Sequence, residues 1–202
     1  MPKNIELEIR AIVEKKDFGE RLKKLKGRGK LASKTNRLTV AFYGTCEKNN
    51  FAISIRVTDG KSEVVIKKGD FHTHNRTEYS QKIPNGRFIE MVRIFSQLDF
   101  YGKVFERTTY NYRFPGNITV SLVTVSDYSY IEIEKMTDRK NEKKVKLELM
   151  KVAGGLGLKI IKTKKAYYDY CDMLTEKVDW RFFGTKKDFA KLERILRQKV
   201  AK

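Results

Sequence analysis

Two short carboxylate pairs, Glu6-Leu7-Glu8 and Glu132-Ile133-Glu134, lie far apart in a chain of 202 residues, each inside a segment patterned like a β-strand. On an extended strand residues i and i+2 point the same way, about 7 Å apart. Each pair therefore presents two clusters of anionic oxygens on one face. Gathering such like charges on one surface is costly unless cations join them. Arg10 follows the first pair in phase, so that Glu6, Glu8 and Arg10 read acid, acid, base along one face. The chemistry this suggests is a hard divalent-metal site beside an anion site.

Other strand-like segments add to the same pattern. One face of each offers Arg56, then Lys67, then Arg76 with Glu78, Ser80 and Lys82, then Lys103 with Arg107. Taken singly, such residues commonly form a solvated face. Their joint appearance on separate strands, each opposite apolar positions, suits a wet interior better than a packed core. Basic side chains there would bind a polyanion while carboxylates hold a divalent metal.

The elements that must position these residues follow from periodicity and turn chemistry. Ile5 to Val13 alternates apolar and charged residues, which predicts a strand. Lys15 to Lys30 reads as a short basic helix ending at Gly27-Arg28-Gly29. Strands are expected at 33–42, 52–59 and 62–68, the last two joined by an Asp59-Gly60 hairpin turn, and again at 76–82. Phe88, Met91, Val92, Phe95 and Leu98 recur at helical spacing within 85–100. Strands at 102–114, 117–125 and 129–136 follow, the first two turning at Pro115-Gly116. Helices are expected at 145–158, closing at Gly154-Gly155 and Gly157, and at 164–177 and 186–199, with Thr163 and Thr185 as N-caps. About eight antiparallel strands with flanking helices make an α+β chain, and an up-and-down sheet of that size closes readily into a barrel around a ligand. The expectation is one domain over residues 1–202, with the C-terminal helices running from about 144 to 202.

Hydrophobic content of 40% and aromatic content of 11% belong to a folded protein. The formal net charge of +19 points to a polyanionic partner. Cys46 and Cys171, distant and without metal spacing, argue against a disulfide framework and for a reducing compartment. No apolar run is long enough to span a bilayer and the N-terminus lacks a signal-peptide core, so a soluble cytoplasmic protein without membrane partners is expected. His72-Thr73-His74 has no third ligand nearby and reads as a loop. Tyr167, Tyr168 and Tyr170 read as helix packing, as does the stripe Phe189, Leu192, Ile195 and Leu196.

The order and spacing of these motifs resemble the CYTH family, the triphosphate tunnel metalloenzymes that include class IV adenylate cyclases and thiamine triphosphatases. Glu6-Leu7-Glu8-Ile9-Arg10 is similar to the family's Glu-x-Glu-x-Lys. Ile53-Ser54-Ile55-Arg56 followed by Val64-Val65-Ile66-Lys67 resembles its paired basic strands, Arg76-Thr77-Glu78 its Arg-x-Glu element, Phe105-Glu106-Arg107 its later basic strand, and Glu132-Ile133-Glu134 its closing acidic pair. Gly155 to Leu158 with Ala166-Tyr167 resembles its C-terminal helices. The resemblance implies a closed tunnel of eight antiparallel strands, Mg2+ or Mn2+, and a triphosphate-bearing small molecule. Carried over, it makes Glu6, Glu8, Glu132 and Glu134 metal ligands or holders of the metal's water, with Glu6 and Glu8 serving catalysis. Arg10, Arg56, Lys67, Arg76 and Arg107 become phosphate-binding residues, and Glu78 an auxiliary acid or an orienting partner. The chain departs from the family at Arg10, where lysine is the hallmark and a planar fork binds phosphate differently. It departs also at Ser54, Ser80 and Leu122, where a base, a carboxylate and an aspartate are common.

Three functions fit these readings. The first is metal-dependent hydrolysis of inorganic tripolyphosphate, thiamine triphosphate or a nucleoside triphosphate. An adenylate cyclase on the same scaffold is the second, with a ribose hydroxyl as nucleophile. The third is nucleic-acid binding, including RNA bearing a 5′-triphosphate, which the charge, the basic stretch 23–30 and the basic C-terminal helix support. A homodimer is compatible with all three.

Overall fold

The computed structural model describes residues 5–43, 51–69, 77–98 and 101–200. Nine strands and five α-helices are found among them. In chain order these are β1 (Ile5–Val13), α1 (Phe18–Arg28), β2 (Lys30–Phe42), β3 (Phe51–Thr58), β4 (Lys61–Lys68), β5 (Thr77–Ile83), α2 (Phe88–Phe95), β6 (Gly102–Phe114), β7 (Ile118–Val125), β8 (Tyr128–Thr137), α3 (Glu142–Gly155), α4 (Lys164–Lys177), β9 (Trp180–Phe182) and α5 (Lys186–Val200). The strands hydrogen-bond in the order β1-β8-β7-β6-β2-β3-β4-β5, with β9 on β6. The chain is thus mixed α and β, built on one large antiparallel sheet.

The eight strands expected in a closed barrel are all present. Among the described residues, however, their ladder is an open path with β1 and β5 at its ends. β5 buries none of its residues, so it has no apolar face to fix a second pairing. β9 was not foreseen, since three residues carry too little periodicity to register as a strand.

The described residues divide into two compact units, the first comprising 5–34, 77 and 108–171, the second 35–43, 51–69, 78–98, 101–107 and 172–200; β2, β5, β6 and α4 contribute residues to both. In the first unit, the apolar face of β1 (Leu7, Ile9, Val13) packs with Ile131 and Ile133 of β8 and Val120 and Leu122 of β7 against α1 and α3, which supply Leu25, Val145, Leu149 and Ala153. Burying one such leucine stabilises the fold by about 1.5–3 kcal/mol. α3 ends in a left-handed turn at Gly157 (φ 67°), where the amide of Leu158 reaches back to the Ala153 carbonyl at 3.0 Å. Arg21 of α1 donates to the Leu156 carbonyl at 2.8 Å, satisfying another terminal group.

The core of the second unit joins Leu38, Val40 and Phe42 of β2, Ile53, Ile55 and Val57 of β3, and Val104 of β6 to Phe88 and Val92 of α2 and Phe189, Leu192 and Leu196 of α5. Its tight turn at Asp59 and Gly60 has positive φ at both residues, 47° and 77°. That is the conformation a two-residue hairpin demands, and it fixes the register of β3 on β4. The Thr185 cap on α5 is reciprocal: its hydroxyl accepts from the Asp188 amide, and the Asp188 carboxylate accepts from the Thr185 amide, both at 3.2 Å. In the first unit α1 and α3, and in the second α2 and α5, cover the apolar side of the strands, leaving their charged side facing away from its own core.

Candidate functional site

In the first unit, β1 and β8 pair antiparallel in a register that sets Arg10 opposite Glu132 and Glu8 opposite Glu134. The apolar alternates of these strands are buried in the core, so the charged residues share the other face. Arg10 stands between two carboxylates. Its Nε lies 2.6 Å from one oxygen of Glu8 and 3.0 Å from Glu132, and one terminal nitrogen donates to the other oxygen of Glu8 at 2.8 Å. The guanidinium also covers the Tyr167 ring, 4.9 Å from its centroid. Burial works against the Arg10 charge, but Glu8, Tyr167 and Glu132 outweigh it and hold the group well above its ordinary pKa. Desolvation raises the Tyr167 phenol in turn, against the pull of Arg10. The Arg10 carbonyl accepts from the Ile161 amide at 2.8 Å, which pins this part of β1. Glu6, one same-face position before Glu8, lies opposite Met136 and takes no part in this cluster.

The polar face continues across β7 and β6. Ser121, opposite Glu132, is buried and donates to the Asn111 carbonyl oxygen at 2.7 Å; Asn111 in turn donates to Ser33 at 2.9 Å. This row of small polar groups suits oxygen-rich ligands and cannot serve as an apolar core.

The second unit carries the opposite arrangement. Arg56 lies opposite Glu63 in the β3–β4 hairpin and donates to it at 2.7 Å. Glu78 on β5 takes Arg56 on one oxygen and Lys67 on the other, each at 2.9 Å. Burial opposes ionisation of Glu78, yet Lys67 and Arg56 prevail and lower its pKa. A carboxylate held by two cations, one per oxygen, occupies a receptor that phosphate oxygens could equally fill. Arg107 forms a two-pronged pair with Asp179 at 2.8 and 3.0 Å, and Lys103 reaches the same carboxylate at 3.0 Å. The Asp179 side chain has no solvent exposure, and Lys103 also bonds Thr175.

The structure therefore brings Glu8, Arg10 and Glu132 together, with Glu134 adjacent in register, and separately brings Arg56, Lys67 and Glu78 together. Arg107 is engaged by a buried aspartate. Arg76, His72, His74 and Cys46 lie outside the described residues. Sequence reasoning missed Glu63, Tyr167 as a partner of Arg10, and Asp179. Of these only Glu63 carried a signal, since a two-residue turn at Asp59-Gly60 already places it across from Arg56.

For a divalent metal, the four acids expected to ligate it do not fit as they stand. Among the described residues no three histidine, cysteine, aspartate or glutamate side chains are grouped to hold a metal. Both oxygens of Glu8 face a guanidinium instead.

The model of the CYTH domain matches residues 4–168, a span that contains both clusters. The chain belongs to the CYTH family. No curated protein matches it in sequence. Among solved structures, it resembles the PH1819 protein of Pyrococcus horikoshii OT3, with TM-score 0.65 and 20% identity, over 85% of this chain and 99% of that one. A candidate adenylate cyclase of Vibrio parahaemolyticus aligns with TM-score 0.64 and 14% identity over 82% and 98%. A candidate adenylyl cyclase of Hippeastrum, whose dominant activity is that of a triphosphatase, aligns with TM-score 0.57 and 17% identity over 83% and 96%. At these identities the likeness is one of fold. Asp179 lies beyond the matched residues. No helix among the described residues is long and apolar enough to cross a membrane.

Proposed function

We propose that this CYTH protein hydrolyses a triphosphate-bearing small molecule, dependent on Mg2+ or Mn2+, within a sheet that closes around its substrate as a tunnel. The observation that carries the reading is Glu78, held between Arg56 and Lys67 at 2.9 Å on each side. Two cations set to grip two oxygens of one anion form a receptor for phosphate. In the proposal phosphate oxygens take the place of the Glu78 carboxylate, and Arg10 and Arg76 contribute further positive charge along the phosphate chain. Arg107, sequestered by Asp179, acts by holding its strand and not by touching phosphate. Phosphoryl transfer needs positioning and neutralisation of charge more than covalent help, and these side chains supply both. A divalent metal bound with the phosphate chain would add charge neutralisation and polarise the scissile group.

Cyclisation of ATP is a second reading, supported by the fold shared with the Vibrio protein. The test is a phosphate-release screen of the purified chain with Mg2+ and with Mn2+, across tripolyphosphate, thiamine triphosphate and ATP, with chromatography of the products. Inorganic phosphate with the matching diphosphate is the expected result. Cyclic AMP with pyrophosphate would transfer the proposal to a cyclase. A protein that shifts RNA in a gel regardless of its 5′-triphosphate, and releases nothing from any substrate, would leave nucleic-acid binding in its place.

A further inference from the structure

We propose that the C-terminal helix α5, with Phe183 at its head, is a docking face for single-stranded nucleic acid, made of residues that take no part in the charged clusters described above. α5 lies beyond the residues that match the CYTH domain. Its inner side, Phe189, Leu192 and Leu196, is buried in the core of the second unit. The outer side is cationic. Lys187, Lys191 and Arg194 follow one another at i, i+4 and i+7, and all three are exposed. At that spacing they are neighbours on one face, and exposed Arg197 extends the row by another turn.

The row lacks internal compensation. Among the described residues Lys187, Arg194 and Arg197 have no carboxylate partner, whereas Lys199 pairs with Glu106 of β6. Of the two acids in the helix, Glu193 falls at the margin of the cationic face by its helical phase. The other, Asp188, is engaged by the cap, where its carboxylate accepts from the amides of Phe183 and Thr185. Like charges at i and i+4 disfavour a helix, and so do cations in its first turn, where Lys186 and Lys187 stand. Local stability therefore does not explain the row, and a chain of phosphates would relieve its repulsion.

Aromatic groups beside the row select among polyanions. Phe183 is 70% exposed, yet its place is fixed. Its amide donates to the Asp188 carboxylate at 3.0 Å, and Gly184 turns the chain towards the helix with a φ of 72°. Trp180, partly buried, has its ring centroid 4.1 Å from the Lys191 ammonium. Aromatic faces among cations suit unpaired bases, which stack on them, whereas a duplex keeps its bases inside. An acidic bilayer fits less well, because an interfacial helix buries its apolar face in the lipid and that of α5 is already occupied. Nothing in this arrangement depends on the triphosphate reading.

The test is fluorescence anisotropy of a labelled oligouridine with a 5′-hydroxyl end, about 20 nucleotides long so as to span the face, titrated with the full chain across a range of salt. Lys187→Gln/Arg194→Gln is expected to bind at least tenfold more weakly. Its slope of log affinity against log salt should be shallower by about 1.4, the share of two phosphates on a single strand. Circular dichroism and phosphate release of this variant should match the unaltered protein; if no triphosphate is hydrolysed by either, the binding comparison still decides. Phe183→Ala should weaken binding of the strand several-fold without moving the slope, and leave the weaker binding of the strand annealed to oligoadenosine unchanged. Equal binding by the double variant would overturn the proposal, as would a loss confined to Arg56→Ala, which would seat the strand in the phosphate receptor. A duplex bound as tightly as the strand and indifferent to Phe183 would overturn the assignment to single strands. Capture of the chain on phosphatidylserine vesicles, with no binding of the strand, would overturn it in favour of an acidic membrane surface.

Discussion

In the first unit one guanidinium, Arg10, sits between two carboxylates, Glu8 and Glu132; in the second one carboxylate, Glu78, sits between two cations, Arg56 and Lys67. Both clusters are built on the side of the sheet facing away from their own core, and both are only partly exposed. Arg56 also holds Glu63 at 2.7 Å, so the second cluster balances two cations with two acids, whereas the first sets one cation against two. A third cluster in the second unit is more deeply buried. There Asp179, with no solvent exposure, closes on Arg107 and Lys103.

The largest expected effect separates that third cluster from the two partly exposed ones. Asp179→Ala leaves two cations without their buried partner, and chemical denaturation should show a loss of about 3–5 kcal/mol. A loss below about 1 kcal/mol would mean that Arg107 and Lys103 find water instead, and that Arg107 is available to phosphate after all.

Next in size are the effects on catalysis. Arg56→Ala removes a charged grip on the phosphate chain and should lower kcat/KM for the preferred triphosphate by about ten- to a hundredfold, the equivalent of one charge-assisted hydrogen bond. Glu8→Gln should lower it at least as much, because it removes one of the two carboxylates that hold Arg10 in place. An unchanged kcat/KM would mean that the first cluster has no part in turnover.

Glu78→Gln is expected to act in the opposite sense. Removing the charge of Glu78 loosens the hold on Arg56 and Lys67, although Arg56 keeps its pair with Glu63, so calorimetry should show polyphosphate binding a few-fold tighter. Weaker binding would assign Glu78 a direct role toward substrate.

The smallest effect is on stability against pH. The Glu78 pKa is lower in the folded protein, where Lys67 and Arg56 outweigh its burial. Its contribution is therefore present above the unfolded carboxylate range and disappears as pH falls through the depressed folded value. The side chain is 31% exposed, so solvent screens much of the interaction. Acid titration of unfolding should show Glu78→Gln flatter than the unaltered protein in that window, the two differing most near neutrality and converging in acid.

Much of this arrangement was legible beforehand. The alternation in Ile5 to Val13 placed Glu6, Glu8 and Arg10 on one face because the side-chain period of a strand is two. The pair of positive-φ residues expected at Asp59-Gly60 is present and sets Arg56 against Glu63. The helices at 164–177 and 186–199 began at their threonine caps as their sequences indicate. Less legible were the partners. Whether Glu132 would face Arg10 or Glu8 depended on the register of two strands more than a hundred residues apart, and no turn joins β1 to β8. Asp179 looked like one acid among many in a basic tail, since burial leaves no mark on the identity of an aspartate.

From its sequence alone, then, this protein had its alternating strands, its turn residues, its helix caps and the kinds of charge on each face, all of them local properties governed by neighbours a few residues away. Tertiary structure decided which acid meets which base: that Arg10 belongs to Glu8 and Glu132, that Lys67 joins Arg56 on Glu78, and that Arg107 is claimed by Asp179. Ion pairs of this kind depend on strand register and on how far each charge is withdrawn from water, and both emerge only when distant segments pack.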